Sequence, residues 1–256
     1  ENFPKHIALP RGCLDASVEL LGDNGIRSEI HDERFSGDPI DVTFGGSLRP
    51  DQEAAVAAIL RHDTGVLCAP TAFGKTVVAA AVLARRGINT LVLVHRTELL
   101  KQWQKRLQAF LGVGKEVVGT VGGGKPKVTG TIDIAVMQSL SRKGEVNSLV
   151  ERYGQVIVDE CHHVGAVSFD AILRRTKAKF VLGLTATPVR RDGQQPIIFM
   201  QCGPIRHTAE RSEDSPHDLS VSPRFRYSRI DVAADVGIQE VFRQLAEDGS
   251  RTVEIA

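Results

Sequence analysis

Five short apolar runs constrain this chain more than anything else in it: GVLCA (65–69), TLVLV (90–94), IDIAV (132–136), QVIVD (155–159) and FVLGLT (180–185). A strand with one face in water alternates apolar and polar residues. Runs with almost no polar position predict strands buried on both faces, as in a parallel sheet covered by helices. The intervening stretches supply those helices. TELLKQWQKRLQAFLG sets Leu100, Trp103, Leu107, Phe110 and Leu111 on one face, with Thr97 as its expected N-cap, Glu98 in the first turn and Gly112 at the end. PDQEAAVAAILRH (50–62) opens on a proline, and KTVVAAAVLARRG (75–87) closes on two arginines and Gly87, which suit the negative pole of a helix. Alternating strand and helix predicts a doubly wound α/β domain.

The flanks differ. Residues 1–45 read as a small α/β appendage: a short helix around Leu14 to Leu21, then strand-like alternation in RSEIHDERF (27–35) and IDVTF (40–44). RSEDSPHDLSVSP (211–223) has the composition of a linker. Beyond it RFRYSRIDV reads as a strand and GIQEVFRQLAEDG as a helix. Of 256 residues, 42% are hydrophobic, enough for one substantial core and a small second unit. The longest apolar run, Val77 to Ala84, is far short of the roughly 20 residues that span a bilayer. Four cysteines without a C-x-x-C pair argue against a zinc ribbon and suit a reducing compartment, cytoplasmic or, failing that, nuclear. At a formal net charge of +1, any nucleic acid has to be held by a local basic face. The start, without Met, reads as a processed or truncated end.

APTAFGKT (69–76) departs from the phosphate-loop pattern G-x-x-x-x-G-K-[ST] by placing Ala69 first. It nevertheless follows a buried strand and opens a helix, so backbone N–H groups and the helix N-terminus can hold phosphates. Lys75 can reach the β and γ oxygens and the Thr76 hydroxyl can ligate Mg²⁺. In VIVDECHH, Asp159 and Glu160 end another buried strand, at the edge where open α/β sheets bind ligands. Asp159 suits a metal ligand and Glu160 a base toward an attacking water. Thr185 and Thr187 follow a third strand at the same edge, with hydroxyls expected to bond the acids or phosphates.

Taken in order, LRPDQ (48–52), APTAFGKT (69–76), VLVHRTELLKQW (92–103), VGGGK (121–125), IAVMQSL (134–140), DECHH (159–163) and GLTATP (183–188) resemble the motifs of superfamily 2 helicases. The resemblance covers about residues 46–208 and is strongest to the first RecA-like domain of DExH enzymes related to XPB and to restriction-enzyme translocases. It implies a RecA-like fold that binds ATP and Mg²⁺, with Arg49 and Gln52 reading adenine and Thr71, Ala72, Phe73, Gly74, Lys75 and Thr76 forming the nucleotide loop. His162, Thr185 and Thr187 would couple nucleotide state to nucleic-acid grip. His95, Arg96, Thr97, Gly122, Gly123 and Gln138 would follow the strand backbone, DNA being favoured over RNA. Ala72 stands where many relatives have Gly, so a positive φ there would strain it by about 1 kcal/mol; bulky Phe73 is expected to close over the sugar or phosphates. Such motors hydrolyse ATP between two RecA-like domains, and residues 209–256 read as a linker and the start of a second domain. The implied function is the ATP-binding half of a helicase or translocase, weakly active alone. Two alternatives are the motor of a restriction or nuclease complex and a scaffold that binds nucleic acid without hydrolysing ATP.

Overall fold

The computed structural model describes residues 2, 3, 6–142, 144–162, 166–187, 195–210 and 237–247. Among them, seven strands form one parallel sheet: β1 (Thr64–Cys68), β2 (Thr90–Val94), β3 (Val118–Val121), β4 (Ile132–Val136), β5 (Gln155–Val158), β6 (Phe180–Thr185) and β7 (Ile205–Thr208). Their order is β7-β1-β6-β5-β2-β4-β3, and every pairing is parallel. The five expected strands are all present and occupy the interior positions together with β4's place beside the edge. The two further strands, β3 and β7, are the sheet's edges.

Burial on both faces explains why the central strands read as unbroken apolar runs. Leu67, Val92, Ile134, Ile157 and Leu182 point into one core with α2 (Pro50–Leu60), α3 (Lys75–Arg86) and α4 (Thr97–Leu111). Their neighbours Val66, Leu91, Ala135, Val156 and Val181 point into the opposite core with α5 (Met137–Leu140), α6 (Ala166–Arg175) and α7 (Gln195–Cys202). Each fully buried Leu, Ile or Val contributes about 1.5–3 kcal/mol relative to exposure, so the two layers together fix the doubly wound arrangement. Gly87 and Gly112 end α3 and α4 in the left-handed region, at φ 61° and 63°, as glycine C-caps do. The N-cap of α4 is Arg96, not Thr97, which is already the first helical residue; its side chain makes no capping bond.

The N-terminal segment belongs to the compact unit Glu1–Ser212. It contains a two-stranded hairpin and α1 (Leu14–Asp23), two residues longer than expected. The alternation in 27–35 and 40–44 does not yield strands. Phe35 makes an isolated bridge to Ala178, and Pro39, between the two stretches, makes one to Ile88. Arg11 fastens the segment: its guanidinium donates to the carbonyls of Leu173, Thr176 and Ala178, the uncapped end of α6. Asp133, buried in β4, accepts from the backbone N–H groups of Thr129 and Gly130 and, at 2.7 Å, from the Tyr153 hydroxyl. The carboxylate and burial together push the Tyr153 phenol well up. Separately, α8 (Ile238–Glu247) is an amphipathic helix in the unit Glu213–Ala256. The strand expected at 224–232 and the linker at 211–223 lie outside the described residues. Among the described residues no helix is long and apolar enough to cross a membrane.

Candidate nucleotide site and strand-contact edge

Parallel strands end together, so the loops after β1, β2, β3, β4, β5 and β6 share one edge of the sheet. That edge gathers every residue singled out from the sequence except Arg49 and Gln52, which arrive from the start of α2.

The loop after β1 makes a cavity of about 490 Å³ lined by Lys75, Thr76, Asp159 and Glu160, with Trp103 and Arg106 of α4 opposite. Lys75 Nζ donates to the Ala69 carbonyl at 3.1 Å and lies 3.4 Å from Glu160 Oε1. A lysine placed between the loop carbonyl and the acid can be drawn to a phosphate without crossing the pocket. Thr76 and Asp159 are buried at 9% and 8% exposure, and both present oxygen to this cavity. A hydroxyl and a carboxylate fit Mg²⁺, which takes few protein oxygens and completes its shell with water and phosphate. Among the described residues no cluster of three or more His, Cys, Asp or Glu could hold a metal, so any ion here depends on this sparse pair and the nucleotide. Burial raises the Asp159 carboxyl above its ordinary range, while the Trp103 N–H and Lys75 pull it back down.

Glu160 Oε2 is buried and accepts no hydrogen bond, lying 3.4 Å from His162 Nδ1. A carboxylate oxygen that no donor satisfies keeps its affinity for a proton, and it meets water only when the side chain turns toward the cavity. The backbone is unusual at the same place. Among the described residues the non-glycine residues with positive φ are Ala72, at 71°, and Glu160, at 47°, and strain of this kind collects at functional turns. Gly74, at φ 91°, has a further reason to lack a side chain, since a Cβ there would stand 2.6 Å from Gln52 Nε2.

Gln52 is 3% exposed. Its Nε2 donates to the Phe73 carbonyl at 2.8 Å and its Oε1 accepts from the Arg49 backbone N–H at 3.0 Å. Arg49 adds a second donor to the Phe73 carbonyl at 3.0 Å. The pair therefore grips the phosphate loop from behind. Phe73 does not close over a sugar: its ring is 5% exposed and packs in the helical core, because the loop turns it inward at Ala72. Thr71 and Ala72 are the exposed residues at the mouth.

The Thr185 carbonyl accepts from the Ala69 N–H at the start of the phosphate loop, at 2.9 Å, but its hydroxyl bonds to neither acid. That hydroxyl donates to the Thr187 carbonyl at 2.8 Å and lies 2.7 Å from His162 Nδ1. This ties the loop after β6 to the loop after β5 one step from Glu160.

Glu160 also lines a second hollow of about 560 Å³, with Thr71, His95, Arg96 and His162. The acid thus lines both hollows, the first beside Lys75 and the second beside Arg96. Gly122 and Gly123, both with positive φ, end β3 in a turn; a Cβ on Gly123 would come within 2.5 Å of Thr97 Cγ2. Gln138 is exposed on α5. Gly123 thus abuts Thr97, and Gly122 abuts Ser139 beside Gln138, so the expected strand-contact residues adjoin one another along the edge. A comparably large hollow beside Arg11 and Arg34 lies at the N-terminal segment; its arginines are spent on α6 carbonyls and on Asp32 and Asp63. Trp103 was legible only as a core residue and Arg106 not at all, although both reach the nucleotide cavity: their contacts span 56 and 30 residues of sequence.

Residues 46–190 match the family described as type III restriction enzyme, res subunit. A protein of Acanthamoeba polyphaga mimivirus that carries the name of an ATP-dependent RNA helicase is 30% identical over 73% of this chain and 36% of its own length. The DNA 3'-5' translocase XPB2 of Sulfurisphaera tokodaii is 31% identical over 62% of this chain and 35% of its own. This chain thus spans about a third of the curated relatives it matches. The UvsW helicase of bacteriophage T4 shares the fold, with a TM-score of 0.60 at 18% identity over 80% of this chain and 83% of that one.

Proposed function

The chain belongs to the type III restriction enzyme res-subunit family, as an XPB-like first RecA-like domain of superfamily 2 helicases, and on that premise we propose that it is the ATP-binding front half of a DNA helicase or translocase. The observation that supports this most is the convergence of Lys75 and Thr76, from the loop after β1, with Asp159 and Glu160, from the loop after β5, on one cavity.

In this reading Gly74 and the start of α3 receive the phosphates, and Lys75 leaves Glu160 for the β and γ oxygens. Thr76 and Asp159 would hold Mg²⁺, which would supply charge to offset that of the phosphates. Glu160, whose buried Oε2 has no donor, turns toward the cavity and takes the proton of the attacking water. His162 and Thr185 pass the state of Glu160 to the loop after β6, and His95, Arg96 and Thr97, with Gly122, Gly123 and Gln138, meet a strand's phosphates. Arg49 and Gln52 set the phosphate loop from behind and do not themselves select the base. The N-terminal 45 residues brace the domain through Arg11, and residues 209–256 lead toward a second RecA-like domain.

That second domain supplies arginine fingers in such motors, each worth about 10³–10⁵ in turnover. ATP turnover by this chain alone is therefore expected to be very slow, and to rise when the full-length protein is assayed with single-stranded DNA. Strong DNA-stimulated turnover from residues 1–256 alone would refute the division of labour. Strand contact is checked by salt titration, with an expected log-log slope of about −0.7 per phosphate neutralised; a flat response removes the proposed track, and tighter binding to RNA reassigns it. The name of the matched family favours one second reading, the motor of a restriction complex whose cutting domain lies elsewhere.

A further inference from the structure

Helix α4 turns one face toward the metal half of the nucleotide cavity. Trp103 and Arg106 stand three residues apart, so they share that face. Trp103 is 2% exposed and its Nε1–H donates to Asp159 Oδ2 at 2.7 Å. Arg106 donates to Thr76 Oγ1 at 3.2 Å. The two oxygens that would hold Mg²⁺ are thus both engaged by one helix, through residues that no motif of the sequence assigned to the site.

The two bonds differ in kind. An indole N–H can only donate, and a buried one needs an acceptor. Trp103 therefore fixes the orientation of the Asp159 carboxylate. Arg106 is a permanent cation whose hydrogen bond among the described residues goes to a neutral hydroxyl, with no ion pair to a carboxylate. A metal at Thr76 Oγ1 would meet that guanidinium at close range, and like charges repel. Lys75 has Glu160 for its counter-charge, while Asp159 faces the pocket beside Arg106.

We propose that Trp103 and Arg106 are positioning residues for the metal: Trp103 holds Asp159 in its ligating orientation, and Arg106 is a resident cation at Thr76 that must withdraw as Mg²⁺ enters. This rests on the reading of the cavity as an Mg·nucleotide site. It makes the Mg²⁺ requirement of nucleotide binding a property of α4, the helix that begins beside His95 and Arg96.

The test is equilibrium binding of a fluorescent ADP analogue, which undergoes no turnover, at fixed concentration while MgCl₂ is titrated. Wild type, Lys75→Ala, Arg106→Gln, Arg106→Lys and Trp103→Phe are compared after circular dichroism shows each to be folded. Arg106→Gln is expected to lower the half-saturating Mg²⁺ concentration by roughly three- to tenfold, as for one partly screened charge. Arg106→Lys, which keeps the charge, should stay within about twofold of wild type. Trp103→Phe, which keeps the ring but loses the donor, should raise the requirement at least about threefold. Because Trp103 is the chain's single tryptophan, its emission should also change as Mg²⁺ and ADP enter. Binding that depends on Lys75 but has the same Mg²⁺ midpoint in Arg106→Gln and Trp103→Phe would overturn this inference and leave the functional reading intact. Wild-type binding that is absent or indifferent to Lys75→Ala would take down that reading and this inference with it.

Discussion

Replacing Gln52 by Ala separates two roles that one side chain could have. In the structure the carboxamide donates to the Phe73 carbonyl at 2.8 Å and accepts from the Arg49 N–H at 3.0 Å, at 3% exposure. The substitution removes two hydrogen bonds of about 1 kcal/mol each. It also strands part of their buried polar surface at about 1–3 kcal/mol, which is reduced because Arg49 still donates to the Phe73 carbonyl. A loss of about 2–4 kcal/mol follows, a large share of the 5–15 kcal/mol typical of whole domains. For a domain of this size the melting temperature should fall by roughly 4–16 °C. The loop loosens without losing any group that recognises a particular base, so affinity for fluorescent ATP and GTP analogues should fall by the same factor. Calorimetric melting and the two titrations check this. A variant within about 0.5 kcal/mol of wild-type stability that loses ATP affinity selectively would refute the reasoning, and would show that Gln52 reads adenine directly.

Other positions make sharper, narrower demands. Gly74→Ala forces a side chain at φ 91° against Gln52 Nε2, and should cost about 1–2 kcal/mol from the backbone alone while abolishing measurable nucleotide binding by titration. Tyr153→Phe removes the hydroxyl donor to Asp133 Oδ2, and urea unfolding should show a loss of about 1–3 kcal/mol with an unchanged m-value. Arg11→Ala uncaps the end of α6. Hydrogen exchange at Leu173 to Ala178 and proteolysis near residues 8–12 should both accelerate, whereas Mg·ATP binding should stay within about twofold.

How much of this was legible follows from where the physics is local. The five apolar runs betray their strands because burial on both faces leaves no polar position. The edge strands VGTV and IRHT bury less, carry Gly, Thr, Arg and His, and give no such run. In 27–35 and 40–44 the alternation is real, yet it forms no strand and leaves one isolated bridge at Phe35, because alternation alone does not supply a partner strand. Lys75, Thr76, Asp159 and Glu160 could be found because the first two close the loop after β1 and the last two follow β5 directly, and parallel strands bring those ends together. Gln52 was legible as part of a motif, yet its grip on Phe73 was not, because that contact crosses from α2 to the loop. The same limit hid Arg106: an arginine on an exposed helical position reads as a solvated charge until the fold shows what lies across from it.

The central claim is that this edge of the sheet holds Mg·ATP through Lys75, Thr76 and Asp159. Its most direct test is equilibrium titration of a fluorescent ATP analogue against residues 1–256, with and without Mg²⁺, in wild type and Lys75→Ala. The account predicts saturable, Mg²⁺-strengthened binding that Lys75→Ala weakens about 10- to 100-fold, the loss of one charge-assisted contact of about 1.5–3 kcal/mol. Binding that ignores both Mg²⁺ and Lys75→Ala, or no binding at all, would contradict it.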